Sequence, residues 1–354
     1  MTREFPNISS AETQSPKILL RDTGVERIVG VKDETESLEA METHLMAVAL
    51  AHERELLDER EKTPEEIAMI SFAEKSVNAL RQRNGLPPRA LPPKRVKILN
   101  THHIVLDDAF HEGKLETTLV AGNVPLSQIE LVTESAGKGL ERFSAIQHEF
   151  VHAGSYQALQ LDSNGKLVHY RSGLDIQSRQ PNDSGKYTSF LAPLNEAIVE
   201  ENARRILASI PENDSEVGHL AQKRAEDYRA LLALHQQYPE SVPDPTFLKN
   251  TLLSVEIRDG NLSIKYSNRY PEERRTMWSL FDTICERNPR AFPGKSSGEA
   301  REELFQISTK ATLDGNILPL GRIINDTFGK GTFRKLGHLQ SAEEVESYLG
   351  LLAL

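Results

Sequence analysis

The sequence predicts an α+β chain, and three observations carry that prediction. Two stretches alternate apolar and polar residues around a favoured two-residue turn and therefore read as hairpins. They are Leu159 to Tyr170 around Asn164-Gly165, and Leu252 to Tyr266 around Asp259-Gly260. Other stretches repeat apolar residues at helical spacing, among them Phe143, Ile146, Phe150 and Ala153. The composition is that of a folded chain: 354 residues, 38% hydrophobic and 27% charged, enough for one large domain or two smaller ones.

In chain order, residues 1–36 form a polar, mobile arm. Its apolar residues, Ile18, Leu19, Leu20, Val25, Ile28, Val29 and Val31, need a surface to cover. The arm either packs on its own domain or lies in a cleft as an autoinhibitory strand would. Residues 37–92 make a helical N-terminal region, with a first helix over Glu36 to Glu61. A second starts at Thr63-Pro64-Glu65-Glu66, an N-cap with proline in the first helical position and acids in the first turn. It stops at Asn84-Gly85, and Pro87, Pro88, Pro92 and Pro93 make a stiff connector.

Residues 93–212 form the expected core. Strands are predicted at Val96 to Leu99, Leu115 to Val120 and Ser127 to Thr133, with a turn or irregular edge at Gly122 to Pro125. A helix runs from Leu140 to Gln157, then the first hairpin, a polar loop over Arg171 to Ser189, and a helix from Pro193 through Leu207. Residues 213–354 are mainly helical, with the second hairpin near 252–267 and a helix at Pro271 to Arg287.

The net charge is −10 and there is no block of lysine or arginine, so no nucleic-acid footprint is expected. No run has the length of a membrane span, and the N-terminus lacks the apolar core of a secretory signal. Cys285 is the only cysteine, which leaves no intrachain disulfide and no cysteine-based zinc site. The expected compartment is a reducing cytoplasm.

The chemistry concentrates in His148-Glu149-Phe150-Val151-His152. Residues four apart share a helix face, so the two imidazoles can grip one metal ion, with Glu149 on the flank facing its water. Phe150 and Val151 give the variable places apolar bulk. Two histidines need a third protein ligand and an open position for water. Glu196, near the start of the helix from Pro193, can supply it. Glu200, four residues on, can accept the outer N–H of a ligand histidine and fix its tautomer.

His148 to His152 followed by Asn195-Glu196-Ala197-Ile198-Val199-Glu200 resembles the gluzincins, the thermolysin-like zinc peptidases, whose pattern is H-E-x-x-H and then N-E-x-x-x-D/E on a second helix. The resemblance covers about residues 95 to 210. It implies a zincin-like catalytic domain, a small mixed sheet with an edge strand over the active-site helix. It implies one zinc ion on His148, His152 and Glu196, with Glu149 as general base and Glu200 and Asn195 in support. The strand at 127–133 would be the edge to which a peptide or protein substrate adds. The residue that stabilises the oxyanion in that clan is a downstream His or Tyr; Tyr170, His169 and His219 are candidates and Tyr228 is preferred. The spacer of 43 residues between His152 and Glu196 is longer than in thermolysin. The metzincin pattern is absent, because Ser155 and Ala158 stand where it needs Gly and a third His. The alternative to a peptidase is a zinc-binding protein of the same fold that cuts nothing, as a sensor or latent enzyme.

Overall fold

The computed structural model describes residues 25–30, 59–90, 96–100, 104–105, 118–119, 121–124, 129–133, 138–161, 167–178, 188–240, 242, 252–258, 261–266 and 269–353. Within them the chain is a mixed α+β structure with small sheets. Most of the helix expected over 36–61, the arm before Val25, and the turns at Asn164-Gly165 and Asp259-Gly260 lie outside the described residues. The last residues of that expected helix are a strand, β2 (Glu59–Arg60).

Helix α1 (Pro64–Arg83) begins as its sequence dictates. The Thr63 hydroxyl accepts from the Glu66 amide, and the Glu66 carboxylate accepts from the Thr63 amide at 2.8 Å. The same carboxylate takes Arg60 at 2.6 and 2.9 Å and also pairs with Arg142. Strands β3 (Val96–Leu99), β6 (Ala121–Val124) and β7 (Ile129–Thr133) join β2 in a four-stranded sheet of order β2-β3-β7-β6. Only β3 and β7 run parallel. This corrects one expectation: the strand at 129–133, expected as the edge, is interior to the sheet. The segment expected as a turn or irregular edge at Gly122 to Pro125 supplies the edge strand itself over Ala121–Val124. The backbone groups of Ala121–Val124 were free to take the outer side of β7, which local residue preference does not reveal. Strands β4 (Ile104–Val105) and β5 (Thr118–Leu119) form a separate pair.

Helix α2 (Leu140–Gly154) carries the histidine pair, and Phe143, Ile146, Phe150 and Ala153 are buried as its apolar stripe requires. It packs against α1 so closely that a Cβ on Gly154 would lie 2.2 Å from Cγ1 of Val77. Its last carbonyls are met by arginines: Arg81 donates to Gly154, and Arg89 to Ala153 and Ser155. Glu26 pairs with Arg89 and lies 3.9 Å from Arg81. Glu26 precedes β1 (Arg27–Val29), which adds in parallel to β8 (Gln157–Leu161). This part of the arm therefore packs on its own domain. Strand β8 continues through β9 (Leu167–Ser172), β10 (Asp175–Gln177) and β11 (Ser189–Phe190) in a five-stranded sheet of order β1-β8-β9-β10-β11.

Helix α3 (Ala192–Ala208) is the second site helix. Helix α4 (Gly218–Gln237) and the hairpin β12 (Leu252–Arg258) and β13 (Asn261–Tyr266) follow. The rest is helical: α5 (Pro271–Arg287), α6 (Ser297–Asp314), α7 (Leu318–Phe328), α8 (Thr332–Gly337) and α9 (Ala342–Ala353). Among the described residues two large cores form beside a smaller cluster of Leu231, Val242 and Leu252, and the large ones cut across the boundaries expected at residues 92 and 212. The first joins α1, the four-stranded sheet, α2 and the start of α4. The second joins α5 to α9 with Leu174 and Leu191. Helix α3 is their common wall: Val199, Ala203, Ile206 and Leu207 face the first core, and Ala197 and Ile198 the second.

Candidate metal centre

Helix periodicity brings His148 and His152 together on one face of α2, and the packing of α3 across α2 delivers Glu196 between them. The three facing atoms form a near-equilateral triangle. His152 Nε2 is 3.2 Å from His148 Nε2 and 3.3 Å from Glu196 Oε2, and His148 Nε2 is 3.4 Å from the same oxygen. Ligand atoms set tetrahedrally at about 2.0–2.1 Å from a zinc ion lie about 3.3–3.4 Å from one another. The donor set could therefore hold a metal ion.

The surroundings hold the ligands in place. His148, only 2% exposed, has its other nitrogen, Nδ1, 2.9 Å from Oε2 of Glu200. A carboxylate there fixes the tautomer that leaves Nε2 free to bind metal. Arg204 donates to the second oxygen of Glu200 at 2.7 Å, and Glu200 is fully buried. Burial pushes the Glu200 carboxyl up, but His148 and Arg204 outweigh it and bring it down to about 2. Burial pushes Glu196 up as well, and the charges and hydrogen bonds of His152 and His148 hold it well below the usual carboxylate range. Burial lowers the His148 imidazole, and its bonds to Glu196 and Glu200 more than reverse that, raising it above its ordinary value. These are properties of a tightly coupled anion–imidazole cluster, in which a metal ion would replace the proton.

Glu149 is buried beside the triangle, and its charge acts on both His148 and Tyr270. Side-chain exposure is 2% at His148, 13% at His152 and 26% at Glu196, so the cluster opens to solvent on the side of His152 and Glu196.

Tyr228 is not part of this arrangement. It lies on α4 and packs with Leu231, Val242 and Leu252 against the hairpin, because its helix turns that face to β12. His219 is exposed and pairs with Glu65. His169 sits in β9, where burial pushes it down to about 4. The tyrosine at the site is Tyr270. Its ring stacks on His148, with centroids 5.4 Å apart and planes 15° from parallel. Burial, then the nearby charges of Glu196 and Glu149, raise the phenol above its ordinary value. Tyr270 is the N-cap of α5 with no side-chain capping hydrogen bond, a condition shared by the N-caps of α2, α3, α4 and α7, so its local sequence does not single it out.

Asn195 does not face a ligand imidazole in its hydrogen bonding; its Oδ1 accepts from the Leu174 amide at 2.9 Å. The strand that follows brings in a residue the sequence did not single out. Asp175 on β10 lies in the field of Glu196 and His152, and burial pushes its carboxyl up to about 7 against a bond from Ser189. His102 and His103 lie outside the described residues. No described helix is long and apolar enough to cross a membrane.

No protein-family model, no curated protein and no solved structure matches this chain.

Proposed function

We propose that this chain is a zinc-dependent metallopeptidase of the gluzincin type, with a zincin-like catalytic unit acting on a peptide or protein substrate. The observation that carries the reading is the triangle of His148, His152 and Glu196 at tetrahedral spacing, with Glu149 buried beside it. A bound zinc ion would lower the pKa of its water toward neutrality and polarise the scissile carbonyl. Glu149 takes a proton from the attacking water and delivers it to the leaving amine. Glu200 holds the Nδ1–H of His148, so the imidazole keeps its Nε2 aimed at the cluster. The Tyr270 hydroxyl, already beside Glu196, turns to donate to the carbonyl oxygen as negative charge develops on it.

Metal analysis and hydrolysis of unfolded casein by the full chain test this. We expect about one zinc per chain, and a Glu149→Gln variant that keeps the zinc while losing hydrolysis by about 10²-fold or more. Full turnover by Glu149→Gln would exclude the mechanism. Zinc binding without any cleavage would favour the sensor or latent alternative, and absence of zinc would exclude both.

A further inference from the structure

We propose that the ion pair between Arg274 and Glu201 sets Tyr270 against the metal centre, which makes Arg274 a positioning residue. Its kinetic consequence rests on the peptidase reading above.

Tyr270 has φ 49° and ψ 46°, the left-handed conformation that a bulky side chain rarely adopts. It also precedes Pro271, and a residue before proline is biased toward extended backbone. Such a conformation persists only where surrounding structure over-determines it. The chain just after Tyr270 offers little apolar anchorage. The first turn of α5 has no buried residue, and the first buried apolar side chain is Met277. Two arginines of that turn make ion pairs. Arg275 pairs with Glu346 of α9, and both are exposed. Arg274 is half-buried and reaches α3: its Nη2 and Nε lie 2.7 and 3.2 Å from Oε2 of Glu201. The amide of Arg274 donates to the carbonyl of Tyr270 at 3.0 Å, so the two residues move as one turn.

Glu201 is well placed to act as the reference point. It follows Glu200, which orients His148, and it lies on the helix that carries Glu196. It is itself steadied by Arg205 at 3.0 Å, which in turn pairs with Glu302 and lies over the ring of Phe305. The ligand helix thus fixes Glu201, Glu201 fixes Arg274, and Arg274 fixes the backbone of Tyr270 relative to Glu196 and His148. Without the pair, the strained residue would relax toward extended backbone and carry its ring off His148.

The test compares Arg274→Met, Arg274→Lys, Tyr270→Phe, Tyr270→Ala and the double variant Tyr270→Phe/Arg274→Met, all in the full chain with thermal melts to show that they fold. Arg274→Met should lower kcat about 10- to 100-fold, as displacements near 1 Å do, with KM and zinc content unchanged. Arg274→Lys should recover part of the loss, since a single ammonium can still reach Oε2. In the Tyr270→Phe background, Arg274→Met should cost little more. A second readout does not need hydrolysis. The His148 ring-proton shift in histidine-labelled protein should move in Arg274→Met to its position in Tyr270→Ala. An unmoved shift, or an Arg274→Met loss as large in the Tyr270→Phe background as in the native one, overturns the proposal. A moved shift in a chain that hydrolyses nothing would uphold the positioning role and reject the peptidase reading.

Discussion

Replacing Glu66 by Gln should remove a charge on which α1, β2 and α2 all converge. The carboxylate is 2% exposed and accepts from Arg60, Arg142 and the Thr63 amide. Burial alone would push it up; the bonds from Arg60, Thr63 and Arg142 outweigh burial and bring it from 4.5 down to about 2. At about 1.36 kcal/mol per pH unit, that difference corresponds to about 3 kcal/mol of folding stability contributed by ionised Glu66. The sign follows from a folded pKa below the unfolded one. The contribution is complete above the unfolded pKa of 4.5 and is lost as pH falls through the folded value of about 2. Urea unfolding of native chain and Glu66→Gln across this range should show a gap near 3 kcal/mol at pH 7, constant down to about pH 5, then closing toward pH 2. A gap of the same size at pH 7 and pH 2.5 would show that the carboxylate's ionisation is not what holds these elements together.

Two further outcomes are expected. Gly154→Ala would place a Cβ 2.2 Å from Cγ1 of Val77, a β-branched and fully buried neighbour with little rotamer freedom. The overpacking should outweigh the better helix propensity of alanine and destabilise by about 1–2 kcal/mol. Val77→Ala in the same chain should relieve it; denaturant midpoints that show no such rescue would refute the close approach of α1 and α2. Glu200→Gln removes the charge that orients His148 and faces Arg204, and should weaken zinc binding about 10- to 100-fold in competition with a chelator. Unchanged affinity would mean that Glu200 does not act on the ligand.

Much of the ligand set was legible because it depends on one number, the four-residue spacing that stacks side chains on a helix face. That spacing joins His148 to His152 and Glu196 to Glu200 before any fold is known. The two hairpins were legible for the same reason, since alternation and turn chemistry are local. What could not be read was the set of neighbours that pair across long separations. Strand β1 meets β8 some 130 residues later, and β3 meets β7 some 34 residues on, where Val96 pairs with Glu130. Neither register is encoded within its own few residues. Tyr228 and Tyr270 differ in the same way. Both precede or occupy helices with apolar faces, and only the docking of α5 on α3 decides which one meets His148.

The place of α3 between the two cores also orders events in time. All three candidate donors have been synthesised by residue 196, and among the described residues the first core draws on nothing later in the chain than Leu253 on β12. Tyr270 comes later in the chain, and the helices that follow it belong to the second core. A nascent chain therefore contains all three candidate donors before it contains the phenol that stacks on His148. The donor triad and the tyrosine beside it are separated by the length of chain still to be made.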